Sequence, residues 1–276
     1  MPTLIPSIPR FNKGNLYLNG LLTSFVSGTS ISIGPGQARD HTNTNDIVLP
    51  NLVTINAAFN GANGLDEGVL ADSTSYAVYV IGDSNENDWT LLAAVPQPIP
   101  NVQPPVTVVA STGGYFRPGA GLLSLSFTAP ALPAPFDMYR RIGSVLTSGA
   151  GAILTFIPFG FGPSSVIEFT PGVVVLTAGD ATAFTLVNVS AEVPPSASFA
   201  IVSAALTSDA GGARTATFRA TGQTATMSMV SPASTVTTQT LTIPVTTTAG
   251  VTSFDYEVSN AAAALTLTVT GYVDSL

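Results

Sequence analysis

The chain has 276 residues, enough for one large β domain or two ordinary ones, and only 9% of them are charged, against roughly 25% in an ordinary soluble protein. Sixteen acidic residues outweigh eight basic ones for a net charge of -8, so the positive field that attracts a nucleic-acid backbone or an anionic membrane surface is missing. Cysteine is absent, which excludes disulfides, thiolate metal sites and cysteine nucleophiles together.

Residues 1–14 carry Pro2, Pro6 and Pro9, a composition that favours an extended, polyproline-like arm over a core element. Leu4, Ile5, Ile8 and Phe11 are its apolar anchors, and they are the candidate residues for attachment to a partner groove. The alternative is an unstructured leader. This opening run has neither a basic n-region nor a continuous apolar h-region, so synthesis in a cytoplasm is expected rather than Sec export.

From Leu16 onward the apolar residues alternate at the strand period. Ile31 and Ile33 oppose Ser30 and Ser32. Tyr76, Val78 and Val80 oppose Ala77, Tyr79 and Ile81, and since both sets are apolar this strand should be buried on both faces. Between Pro96 and Pro135 prolines are dense and Gly113 to Gly121 adds glycine, the composition of a long inserted loop or hairpin. The apolar run from Ala152 to Phe161 is broken by Pro158 and Gly160 and falls short of the roughly 20 residues a spanning helix needs.

Gly160 to Ser165 combines flexible and rigid punctuation and marks the expected boundary between an N-terminal β domain, 15–162, and a C-terminal β-sandwich, 163–276. Beyond it the alternation is regular. Leu241, Ile243 and Val245 oppose threonines; Phe254, Tyr256 and Val258 oppose Ser253, Asp255 and Glu257; Leu265, Leu267 and Val269 oppose Thr266, Thr268 and Thr270. The expected class is therefore all-β, two antiparallel sandwich or jelly-roll-like domains behind an extended arm, with 163–276 able to fold alone.

Chemistry-bearing motifs are sparse. A Ser-His-Asp set would need His41, the only histidine, which sits in a polar turn without a nucleophile elbow. Asp83 to Asp88 alternates oxygen ligands like a calcium loop, but Asp88 stands where the loop needs glycine and Ala94 where it needs a bidentate glutamate. No glycine-rich run ends in Gly-Lys-Ser or Gly-Lys-Thr. Asn188-Val189-Ser190 matches a glycosylation sequon, relevant only to an exported eukaryotic chain. No catalytic residue, metal ligand or cofactor site is assigned.

Several phrases follow one another in a specific order. They are Phe11-Asn12-Lys13-Gly14 into Leu16 to Leu21, Ile33 to Asp40 into Thr42 to Ile47, Asn63-Gly64-Leu65-Asp66, Ser75 to Ile81, and Tyr139-Arg140-Arg141-Ile142-Gly143-Ser144-Val145. In this the chain resembles tailed-bacteriophage virion proteins of the tail-fibre-like kind, over most of residues 11–160. The stretch from Pro96 to Leu132 is longer than the resemblance implies. What the resemblance implies is a location in the virion, with no catalytic residue tied to these motifs.

The expected function is a non-enzymatic structural component of a tailed-phage virion, a tail fibre or tail appendage that attaches through its N-terminal region. The alternative is a head decoration protein, and a glycan-cleaving tail protein is a distant third. Expected partners are copies of itself, as a trimer, other tail or capsid proteins and a host surface glycan; nucleic acid and membrane insertion are not expected. Arg39, Asp40, Arg140 and Arg141 are expected to form structural pairs within or between subunits, or to remain solvated.

Overall fold

A computed structural model of the chain describes residues 17–84, 119–159 and 164–276. Every regular element among them is a β-strand. In chain order these are β1 (Leu18–Gly20), β2 (Thr23–Ser27), β3 (Ser30–Ile33), β4 (Gly36–Arg39), β5 (Asp46–Leu49), β6 (Val53–Asn56), β7 (Gly64–Leu65), β8 (Ser75–Gly82), β9 (Ala120–Ser124) and β10 (Met138–Leu146). The second half supplies β11 (Thr155–Phe159), β12 (Ser164–Gly179), β13 (Thr185–Asn188), β14 (Ala197–Thr207), β15 (Arg214–Ala220), β16 (Met227–Ser231), β17 (Val236–Pro244), β18 (Thr246–Thr248), β19 (Val251–Val258) and β20 (Ala264–Ser275).

The first half makes two three-stranded sheets, β1-β4-β5 and β2-β3-β6, and a four-stranded sheet in the order β10-β8-β9-β7. As its two-sided apolar pattern requires, β8 is buried on both faces. Tyr76, Val78 and Val80 enter the main core, while Ala77, Tyr79 and Ile81 join Ala120 and Leu122 in a second cluster under Phe127, Leu132 and Phe136. Burial there pushes the Tyr79 phenol up to about 12.

Strand β9 falls inside the 96–135 stretch whose composition suggests an inserted loop. Its residues are buried and pair with β8, so this part of the expected insertion is a sheet strand. The glycine that hides it has a packing reason, since a Cβ on Gly121 would collide with the Ile55 side chain. The phrase Asn63-Gly64-Leu65-Asp66 holds the other edge of this strand: Gly121 N donates to Asn63 Oδ1 (2.9 Å), Asn63 N to Gly121 O (2.7 Å) and Asp66 N to Leu123 O (2.8 Å).

The second half is a sandwich. A long sheet in the order β11-β12-β20-β14-β17 faces a second sheet of β13-β19-β15-β16, with β18 paired to β19. Leu265, Leu267, Val269, Val202 and Leu206 from the one meet Phe218, Phe254 and Tyr256 from the other in a fully buried core.

Both strand pairing and core cross the boundary expected at 162/163. β11 pairs with β12 over five residue pairs, from Thr155↔Thr170 to Phe159↔Val166, which places it in the long sheet. Ile167, Phe169 and Tyr272 of that sheet share one apolar cluster with Ile142, Val145 and Phe156. The punctuation at 160–165 therefore lies between two paired strands, and the long sheet is covered at one end by the first half and at the other by its sandwich partner.

What lets one sheet serve both is a bulge. On β20, Val269 pairs with Val202 and Gly271 with Ile201, and on the other side Val269 pairs with Val173 and Gly271 with Glu168. Thr270 is the extra residue in the ladder with β14, and in the ladder with β12 it lies opposite the four residues 169–172; its hydroxyl donates to the Ile201 carbonyl at 3.3 Å. Because side chains alternate with period two, one inserted residue exchanges the faces beyond it. Odd-numbered Leu265, Leu267 and Val269 point inward before the bulge; even-numbered Tyr272 and Asp274 are buried after it. Gly271 follows because a Cβ there would run into the Ile167 carbonyl.

Candidate interaction surface

The bulge has a result on each face of the long sheet. Inward, it buries Asp274, whose side chain is fully shielded. Its Oδ1 accepts from Ser196 Oγ at 2.6 Å and Arg141 Nη1 at 2.9 Å, and its Oδ2 from Ser144 Oγ at 2.6 Å. Arg141 Nη2 donates to the Ser275 carbonyl. The Tyr272 hydroxyl donates to the Ser144 carbonyl at 3.2 Å; burial first, and then the neighbouring carboxylate, hold its phenol far above the ordinary tyrosine range. Arg141 and Ser144 come from β10 and the rest from the second half, so this charged node ties the two halves of the chain.

Outward, the same bulge turns Val273 to the opposite face. There Phe159 pairs with Val166, Val166 with Val273, Val273 with Phe199 and Phe199 with Pro244. Directly opposed residues share a face, so an apolar row crosses all five strands of the sheet on the side that none of the other described strands covers. Phe159 is 48% exposed and Phe199 38%. The neighbouring row adds Ile157, 57% exposed, and contains the carboxylate Glu168. Farther along, the face is uncharged: Thr240, Ser203, Thr268 and Val174 form one row and Thr238, Ala205 and Thr266 another. Large solvent-facing apolar patches mark contact sites in soluble proteins.

A groove of about 160 Å³ opens where β11 meets the first half, lined by Leu18, Leu22, Ile142, Pro158, Ile167 and Leu276. The anchors expected on the arm, Leu4, Ile5, Ile8 and Phe11, lie outside the described residues, as do residues 85–88 of the acidic loop. Among the described residues no group of three His, Asp or Glu side chains is placed to hold a metal ion.

The remaining candidates are spent on structure. His41 stacks on Tyr139 with ring centroids 4.0 Å apart and planes 7° from parallel. Arg39 Nη1 binds Asp46 Oδ1 at 3.0 Å and Thr44 O at 3.1 Å. Arg140 differs from Arg141: its Nε is buried without a hydrogen-bond partner among the described residues, and burial, then Arg141, lower its pKa. Asn188 Oδ1 accepts from Ser190 N and Oγ within its own turn. On β19, Ser253 and Asp255 are buried as well as Phe254 and Tyr256; Thr221 Oγ1 lies 3.0 Å from Ser253 Oγ and donates to Asp255 Oδ1 at 3.0 Å, and Arg219 packs beside them. Its Nε donates to Asp255 Oδ2 at 3.0 Å, and its guanidinium lies 3.7 Å from the Phe184 ring centroid.

No family model, curated protein or solved structure matches the chain.

Asp40 has a structural role of the same kind. Its carboxylate accepts from Thr42 Oγ1 (2.7 Å), Thr44 N (2.8 Å) and Asn45 N (3.1 Å), closing the 40–45 turn that carries His41. Burial acts to raise its pKa, but the bonds from Thr42, Asn45 and Thr44 together outweigh it and hold the carboxyl below its ordinary value. A depressed folded pKa gives stability that is complete above the unfolded value of about 3.9 and is lost as pH falls through the folded one. Asp40→Ala should cost about 1.5–3 kcal/mol at neutral pH. In thermal melts the gap from the parent should narrow as the pH is lowered below about 3.9; a gap independent of pH would show that the charge does not hold the turn.

Proposed function

We propose that this chain is a non-enzymatic structural subunit of a tailed-phage virion, a tail-fibre or tail-appendage component that assembles with copies of itself and attaches through its N-terminal region. The observation that carries this reading is the apolar row Phe159–Val166–Val273–Phe199–Pro244 on an open sheet face, in a chain with only 9% charged residues. Such a face is stable in water when another surface covers it. Supporting it, residues that bear the resemblance have structural work: Asn63 and Asp66 hold β9, Tyr139 stacks on His41, and Arg141 grips Asp274.

The test is the protein composition of purified particles of the phage that carries the gene. Quantitative mass spectrometry should find the chain in intact particles at a copy number typical of tail components. A copy number matching the capsid lattice would move it to head decoration, and absence from particles would overturn the virion reading.

A further inference from the structure

We infer that the uncovered face of the long sheet binds the same face of a second copy of this chain, across a two-fold axis passing close to Val273. This deepens the reading of an assembling subunit and rests on it only for its biological setting.

Size comes first. Five strands about 4.8 Å apart, with about 3.3 Å per residue along them, give the face an area on the order of 700–800 Å², and a stable interface buries about 800 Å² per partner. One face matched to one equal face is therefore sufficient.

Shape favours a copy of itself. In the order of the sheet, the row reads Phe159, Val166, Val273, Phe199, Pro244, with Val273 on the middle strand. A two-fold axis at the middle strand sets each residue against its mirror position in the row. Phe199 then meets Val166 of the second copy and Phe159 meets Pro244, so every large ring faces a smaller group. Self-complementarity of this kind is what an isologous contact requires.

Charge and edges narrow the choice further. Both copies carry a net charge of -8, yet these rows contribute only Glu168, so like charges are kept off the contact. Edge-to-edge pairing is blunted, because both outer strands contain proline, Pro158 in β11 and Pro244 at the end of β17. The face is left as the surface through which two sheets can meet. An isologous contact joins copies two by two, where composition alone suggested a trimer.

The chain lacks cysteine, so Val273→Cys in the full-length protein provides a single thiol beside the axis. A short bismaleimide should then link two chains in high yield, since facing sheets lie about 10 Å apart. Val230→Cys, on an exposed position of the other sheet, should remain unlinked. Phe199→Lys should keep a cooperative melt and a strand-type circular dichroism spectrum, because that side chain points away from the core, and should weaken dimerisation by roughly thirtyfold or more in analytical ultracentrifugation. A parent chain that is monomeric at tens of micromolar, equal linking at positions 273 and 230, or a Phe199→Lys protein that still dimerises would overturn the inference. So would dimerisation unaffected by Phe199→Lys but abolished by removing residues 1–14, which would make the arm the contact. Loss of dimers in Phe199→Lys with the chain absent from particles would sustain this contact and remove the virion reading instead.

Discussion

Asp274→Ala is expected to lower folding stability by about 3–5 kcal/mol, the penalty for removing one partner of a buried ion pair. The substitution orphans more than a charge. Arg141, Ser144 and Ser196 all donate to this carboxylate, and each buried donor left without a partner adds desolvation cost. Arg141→Ala should cost a similar amount, because it leaves Asp274 buried without its cation. The double variant should cost clearly less than the two single losses together, since both remove one interaction. Chemical denaturation of the four proteins measures this. Single losses below about 1 kcal/mol would place the pair among solvated surface ion pairs and remove the link between the halves.

Cutting the chain at the boundary suggested by composition should have the largest effect. The fragment 163–276 keeps its sandwich partner but loses β11, the five pairings along β12 and the cover over Ile167, Phe169 and Tyr272. Three such side chains account for about 1.5–3 kcal/mol each, and the node for a further 3–5 kcal/mol or so. Against a typical domain stability of about 5–15 kcal/mol, that loss decides the fate of this end of the sheet. Hydrogen exchange should show protection retained in β14, β15 and β19 and lost over residues 164–169 and 271–276. Full protection across those two stretches would mean that the second half folds alone, as its sequence pattern suggests.

Alternation made the strand class legible from the residues. Leu265, Leu267 and Val269 alternate with threonine and are fully buried, and the two-sided apolar run of β8 is buried on both faces. What escaped was wherever one residue breaks the period. Continued past Thr270, the pattern would bury Val273 and expose Asp274; the bulge does the opposite, and in doing so makes both the buried node and the outward row. The glycine after Thr270 was the available signal, since a glycine within a strand marks a bulge or a close backbone approach. Strand β9 was hidden for a related reason: Gly121 looks like loop chemistry and serves contact with Ile55. Arg141 was open to a structural pairing, but its partner lies 133 residues away in sequence, a distance that no local pattern encodes.

Electron cryomicroscopy of the intact particle tests the central claim, that this is an assembly subunit whose open sheet face is covered by its own copy. The expected map shows the chain in the tail, in pairs, with Phe159, Val273 and Phe199 buried between facing sheets. A particle without this chain, or one in which it is present with that face open to solvent, would contradict it.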